Sequence, residues 1–124
     1  AGLPRVLGDE GALRRAFRNL LDNAVKYGGE ARWIGVRAGA ITGAREVWVA
    51  VEDRGPGVAP DELPRIFEPF YRGRDATARQ IAGSGLGLSL VRRIVESHGG
   101  RVTVERGRER GSVFIIRLPA LGQP

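Results

Sequence analysis

Asn19, Asn23 and Lys26 stand at i, i+4 and i+7, which puts two amides and the chain's only lysine in one narrow stripe of a helix. Asparagine is a mediocre helix former because its side chain competes for backbone hydrogen bonds, so two copies in mid-helix call for a reason. An amide oxygen there can ligate a hard cation such as Mg²⁺, with phosphate oxygens and water completing an octahedron. An exposed polar flank would read the same. Asp53 stands before Arg54-Gly55-Pro56-Gly57 in the pattern Asp-x-Gly-x-Gly. A carboxylate in that place can accept from a ring amine while the glycines let backbone approach a flat ligand, although Asp-led turns are common. The run Gly83-Ser84-Gly85-Leu86-Gly87-Leu88 opens a helix, where backbone amides and the positive end of the helix attract phosphate. A flexible hinge is the plainer alternative.

These glycines fit neither common phosphate fingerprint. No Gly-Lys-Ser or Gly-Lys-Thr is present, and no acidic strand end follows at the Rossmann spacing of about 20 residues. The chain has no cysteine and one histidine, His98, which excludes disulfides, thiolate metal sites, cysteine nucleophiles and multi-imidazole zinc. His98 ends a helix beside Gly99-Gly100, where it is expected to interact with the helix dipole.

The elements that must position these groups follow from periodicity. Leu13, Ala16, Phe17, Leu20 and Ala24 recur at spacings of three and four, predicting a helix over Asp9 to Tyr27 with Asp9 as N-cap and Gly28-Gly29 as its stop. Arg32 to Ala38 and Glu46 to Asp53 read as strands around a hairpin loop, and a short helix can start at Asp61. From Glu68 to Gly85 there is little periodicity, which predicts a mobile loop. Leu86 to His98 reads as a second long helix, followed by strands at Arg101 to Glu105 and Ser112 to Leu118. Short hairpins between neighbouring strands predict an α+β fold: a two-layer α/β sandwich whose mixed, mostly antiparallel sheet is covered by helices on one face.

At 124 residues the chain fits one domain, 1–124, with room for a real core. Its longest uncharged stretches fall far short of the ~20 apolar residues of a membrane span, and no basic-then-apolar leader opens it, so the piece reads as soluble. A net charge of +6 suggests an anionic partner, either nucleic acid or a phosphorylated small molecule. The arginines form neither a clustered helix nor a basic arm, which speaks against nucleic acid.

In combination, LGDEGALRRAFRNLLDNAVKYG, VEDRGPGV, RIFEPFYRG and GSGLGLSLVRRIVESHGG resemble, in order and spacing, the asparagine box, first glycine box, phenylalanine box and second glycine box of sensor histidine kinases. The resemblance runs from about Val6 to Leu118 and implies the ATP-binding sandwich shared with type II topoisomerases, ninety-kilodalton heat-shock chaperones and mismatch-repair ATPases. On it, Asn23 corresponds to the Mg²⁺-bridging asparagine, with Asn19, Lys26 and Tyr27 beside the triphosphate and ribose of ATP. Asp53 corresponds to the acceptor of adenine's exocyclic amine, with Gly55 and Gly57 shaping the slot. Phe67 and Phe70 resemble the aromatics flanking the lid, although Phe67 reads equally well as core, and Arg72 resembles a lid arginine reaching the γ-phosphate. Ser84, Gly85, Leu86 and Gly87 resemble the lid's phosphate-facing end; Ala82 stands where many members carry another glycine.

Three classes compete: a kinase module, an autonomous hydrolase and a non-catalytic nucleotide sensor. Hydrolysing and serine-phosphorylating relatives of this fold carry a glutamate one turn before the metal asparagine, and here that position is Asn19. An amide cannot take a proton at neutral pH, which favours transfer to a histidine, a ring that is already nucleophilic. The resemblance therefore implies the catalytic domain of a two-component sensor kinase, with Asn19 and Arg72 as its catalytic residues. Its implied partners are its own dimerisation and phosphoacceptor domain and a response regulator. The full-length protein is expected to be a homodimer and the isolated domain a monomer, cytoplasmic and attached to an inner- or plasma-membrane sensor.

Overall fold

The structure, a computed structural model, describes residues 6–27, 33–41, 43, 45–69, 71, 87–107 and 110–121. The first helix, α1, spans Glu10–Tyr27. Asp9 caps it: its carboxylate accepts from Ala12 N–H at 3.1 Å. Glu10 in the first turn and Lys26 in the last suit the helix dipole. Two antiparallel strands follow, β1 (Ile34–Ile41) and β2 (Glu46–Asp53), then a 3-10 turn at Leu63–Arg65 where a short helix was expected.

The second helix, α2, covers Gly87–Ser97, and β3 (Arg101–Arg106) and β4 (Ser112–Pro119) complete the described elements. α2 ends in a Schellman motif, with Gly100 N–H donating to the Val95 carbonyl and Gly99 N–H to that of Glu96, both at 3.0 Å. That closure turns the chain straight into β3.

The sheet order is β1-β2-β4-β3, antiparallel at every described pairing. Alternation puts Val51 of β2 and Phe114, Ile116 and Leu118 of β4 on the face beneath the helices, where they meet Ala16, Leu20 and Ala24 of α1 and Val91 and Val95 of α2. β1 begins two residues later than expected and runs on to Ile41, because its length is set by pairing with β2, from Ile34 opposite Asp53 to Ile41 opposite Glu46. On the other face Trp48 lies over Gly39, its cross-strand partner, and the ion pairs Arg37–Glu52 and Arg101–Glu46 face solvent.

The candidate nucleotide site

Asn19, Asn23 and Lys26 share one flank of α1, with both asparagines partly buried and Lys26 exposed. The apolar stripe turns Leu20 and Ala24 into the core, so the amides beside it are left at the core's edge. Asn19 Nδ2 donates to the Gly87 carbonyl at 3.4 Å, which brings this flank against the first residue of α2. Tyr27 is the last residue of α1. Phe70, Arg72, Ser84, Gly85 and Leu86, with most of the expected loop, lie outside the described residues.

Asp53 closes β2 and is only 3% exposed. Its Oδ1 accepts from Gly55 N–H at 2.9 Å, folding the chain back in an Asx turn. Burial pushes the Asp53 carboxyl above the usual carboxylate range; the backbone N–H groups of Gly55 and Ser112 pull the other way, and the nearby Glu52 charge adds to the rise. A buried carboxylate at a strand end, beside a glycine turn, can receive an amine from a flat ring.

The turn is locked from below through two residues that sequence reasoning passed over, Arg110 and Gly111. Gly57 and Gly111 both have left-handed backbone, φ 80 and 88, and a Cβ at Gly57 would stand 3.1 Å from the Gly111 carbonyl oxygen. Arg110 Nε donates to the Gly55 carbonyl at 3.0 Å. The only hint in the sequence is a glycine and serine after a polar turn, at the start of a strand. On the opposite side Arg54 lies over the Trp33 ring, 3.8 Å from its centroid. Phe67 packs edge-on against Phe114 with ring centroids 6.1 Å apart, so it belongs to the core's margin.

His98 holds the far end of the helix pair. Its Nε2 accepts from Asp9 N–H at 2.9 Å, and its Nδ1 lies 2.7 Å from the Ile94 carbonyl, to which it donates. The expected contact with the helix C-terminus is present, together with a tie to α1.

The sequence profile of the histidine kinase-, DNA gyrase B- and HSP90-like ATPases matches residues 8–122. The chain belongs to this ATPase family. SenX3 of Mycobacterium tuberculosis H37Rv, a sensor-like histidine kinase, is 40% identical over 120 residues, covering 94% of this chain and 28% of SenX3. The sensor histidine kinase CusS of Escherichia coli K12 is 43% identical over 116 residues, covering 94% of this chain and 24% of CusS. The chain therefore spans only a fraction of the curated relatives it matches. Among solved structures, the mycobacterial sensor histidine kinase MprB superposes with a TM-score of 0.84 at 37% identity, over 95% of this chain and 78% of that one. Full-length ShkA in complex with AMPPNP superposes with a TM-score of 0.80 at 39% identity, over 100% of this chain and 25% of that one. The two-layer architecture is thus that of the histidine kinase ATP-binding domains in this ATPase family.

If Asp53 receives the adenine amine, as the resemblance implies, its burial and raised carboxyl would set a base preference with a pH dependence. Guanine offers a carbonyl oxygen where adenine offers an amine, and an unmatched buried polar pair costs about 1–3 kcal/mol, so ATP is expected to bind roughly tenfold or more tightly than GTP. The amine favours the ionised acceptor, so ATP affinity is expected to fall as pH drops through the raised Asp53 value. The stability linked to Asp53 has the opposite course: present in full below the ordinary carboxylate pKa of about 3.9, it is lost as pH rises through the raised folded value. Calorimetric titrations with both nucleotides across pH check the first pair of statements, and urea melts of the wild type and Asp53→Asn check the last. Equal affinities for ATP and GTP would remove Asp53 from this role.

Proposed function

We propose that this domain binds Mg²⁺-ATP and hands the γ-phosphoryl group to a histidine on a separate dimerisation domain of a sensor kinase, which starts a relay to a response regulator. The observation that carries this reading is the side chain at Asn19: an amide on α1, held against the first residue of α2, at the position where, by the resemblance, hydrolysing relatives carry a proton-accepting carboxylate. The AMPPNP complex of the ShkA relative supports the choice of nucleotide.

In this reading Asp53 accepts from the adenine amine while Gly55 and Gly57 keep side chains out of the slot. The Asn23 amide oxygen would hold the metal, and Asn19, Lys26 and Tyr27 would line the phosphates and ribose. Among the described residues there is no cluster of three His, Cys, Asp or Glu side chains to hold a metal ion, which suits a cation held by one amide, phosphate oxygens and water. Mg²⁺, when bound, neutralises phosphate charge. Arg72 and the run Ser84–Gly87 are assigned to the transferring phosphoryl group. The unprotonated nitrogen of the acceptor ring attacks the γ-phosphorus in line, so an N–P bond forms as the bond to the bridging oxygen breaks. The electron pair leaves on ADP, and the other ring N–H releases its proton to water. No protein base is required, so the chain's contribution is position and electrostatics.

Among the described residues no helix is long and apolar enough to cross a membrane. We assign the domain to the cytoplasmic side of a membrane-anchored, homodimeric sensor.

Alone, the domain is expected to bind ATP yet release phosphate very slowly, and to label the histidine of an added dimerisation domain. Positioned general bases contribute about 10²–10⁴-fold, so Asn19→Glu is expected to raise hydrolysis measurably. Phosphate release and acid-labile label transfer, measured on the same samples, check both statements. Brisk release by the unmodified domain with no transferable label would make it an autonomous ATPase.

A further inference from the structure

We infer that His98 is a positioning residue for the phosphate end of the nucleotide site, acting through the α1–α2 pair. The inference rests on the nucleotide site proposed above. The two helices run antiparallel and are tied at both ends. At one end Asn19 Nδ2 donates to the Gly87 carbonyl; at the other, Asp9 N–H donates to His98 Nε2. The segments between the ties match: Asp9 to Asn19 is ten residue steps and Gly87 to His98 eleven, about 15 and 17 Å of helix at the standard rise. A shift of the cap end therefore moves Asn19 and Asn23 along α2 as a unit.

The ring is fixed in one role at each nitrogen. The Ile94 carbonyl accepts only, so Nδ1 carries the hydrogen, and the Asp9 N–H donates only, so Nε2 is bare. Asp9 is the residue whose carboxylate caps α1, so the bond to His98 places the cap itself. Gly8 makes the approach possible: a Cβ there would stand 2.7 Å from His98 Nε2 and would strike the ring carbon beside it. The chain thus has a glycine where the ring edge carrying Cδ2 and Nε2 must reach the backbone, and the cap immediately after it. Asp53 stands on β2, outside this helix pair, so the adenine end should not depend on the tie.

The test compares AMPPNP with Mg²⁺, which needs the phosphate end, against adenosine, which needs only the adenine end, by calorimetry on the intact chain. His98→Ala is expected to weaken AMPPNP binding about five- to tenfold, the worth of one net hydrogen bond, and to leave adenosine binding unchanged. His98→Gln, whose amide oxygen can reach the position of Nε2, is expected to restore most of the loss. Gly8→Ala is expected to reproduce the His98→Ala defect in the wild type and to add little to it in the double variant, because the ring it would strike is gone. In the unmodified chain, nitrogen NMR of the ring is expected to show the hydrogen on Nδ1. Equal loss of AMPPNP and adenosine binding, no loss of either, or the hydrogen on Nε2 would overturn the positioning role. Failure of the wild type to bind either ligand would instead overturn the nucleotide site, and the role with it.

Discussion

Asn23→Ala is expected to abolish detectable phosphoryl transfer while leaving the cooperative melt in place. The side chain is partly buried on the flank of α1, and no hydrogen bond to a described residue holds its amide, so its removal leaves no described partner behind. Alanine is also the better helix former, by a few tenths of a kcal/mol, which keeps the expected stability change within about 1 kcal/mol of zero. Function should respond very differently. Removing a single preorganised group that stabilises charge in a transition state costs about 10²–10³-fold, and here the same group is proposed to set the metal's position. Label transfer and titration with Mg²⁺ and AMPPNP measure the loss; a thermal melt of the same sample reports the fold. Collapse of the melt would make Asn23 a structural residue.

Gly111→Ala is expected to lose about 3 kcal/mol or more of stability, and adenine binding with it. Its φ of 88 lies in the left-handed region, where a side chain costs about 1–2 kcal/mol. The added Cβ would also strike the Asp53 carbonyl oxygen and lie 2.8 Å from Arg54 Cα, both of them backbone. Overpacking against atoms that cannot rotate away adds about 1–3 kcal/mol. For a domain of this size the sum lowers Tm by more than about 10 °C. It would also part the Ser112 N–H from the Asp53 carboxylate, so nucleotide binding should fail at temperatures where the fold survives. Gly43→Ala, where an added Cβ meets nothing within 4 Å, is the matched control and should melt like the wild type.

The first helix was legible in the sequence because everything that specifies it is local. The Asp9 cap, the stripe from Leu13 to Ala24 and the amide flank all follow from spacing along one helix, and α1 starts and stops where they say. Asp53 was legible as a strand end before paired glycines. Its burial was not, because the atoms that enclose it include the β3–β4 turn, whose Gly111 and Arg110 are far away in sequence. The end of β1 was misplaced for a related reason: Gly39 weakens the local strand signal, and Trp48 of the neighbouring strand covers it only once the sheet has formed. His98 shows the same limit. Its place at a helix end could be read, but the partner N–H of Asp9 lies 89 residues away.

The position of β4 between β2 and β3 has a consequence for synthesis. Strand β2 leaves the ribosome early, and one of its edges must wait for residues 112–119 before it is paired. Until then Val51 and its neighbours have half a sheet beneath them, and the helix pair has no floor on which to close. A nascent chain stalled short of β4 therefore presents an open strand edge and an apolar surface, the species that chaperones and proteases recognise. The domain should acquire protease resistance in one late step as Ser112–Pro119 clear the exit tunnel, rather than gradually along its length.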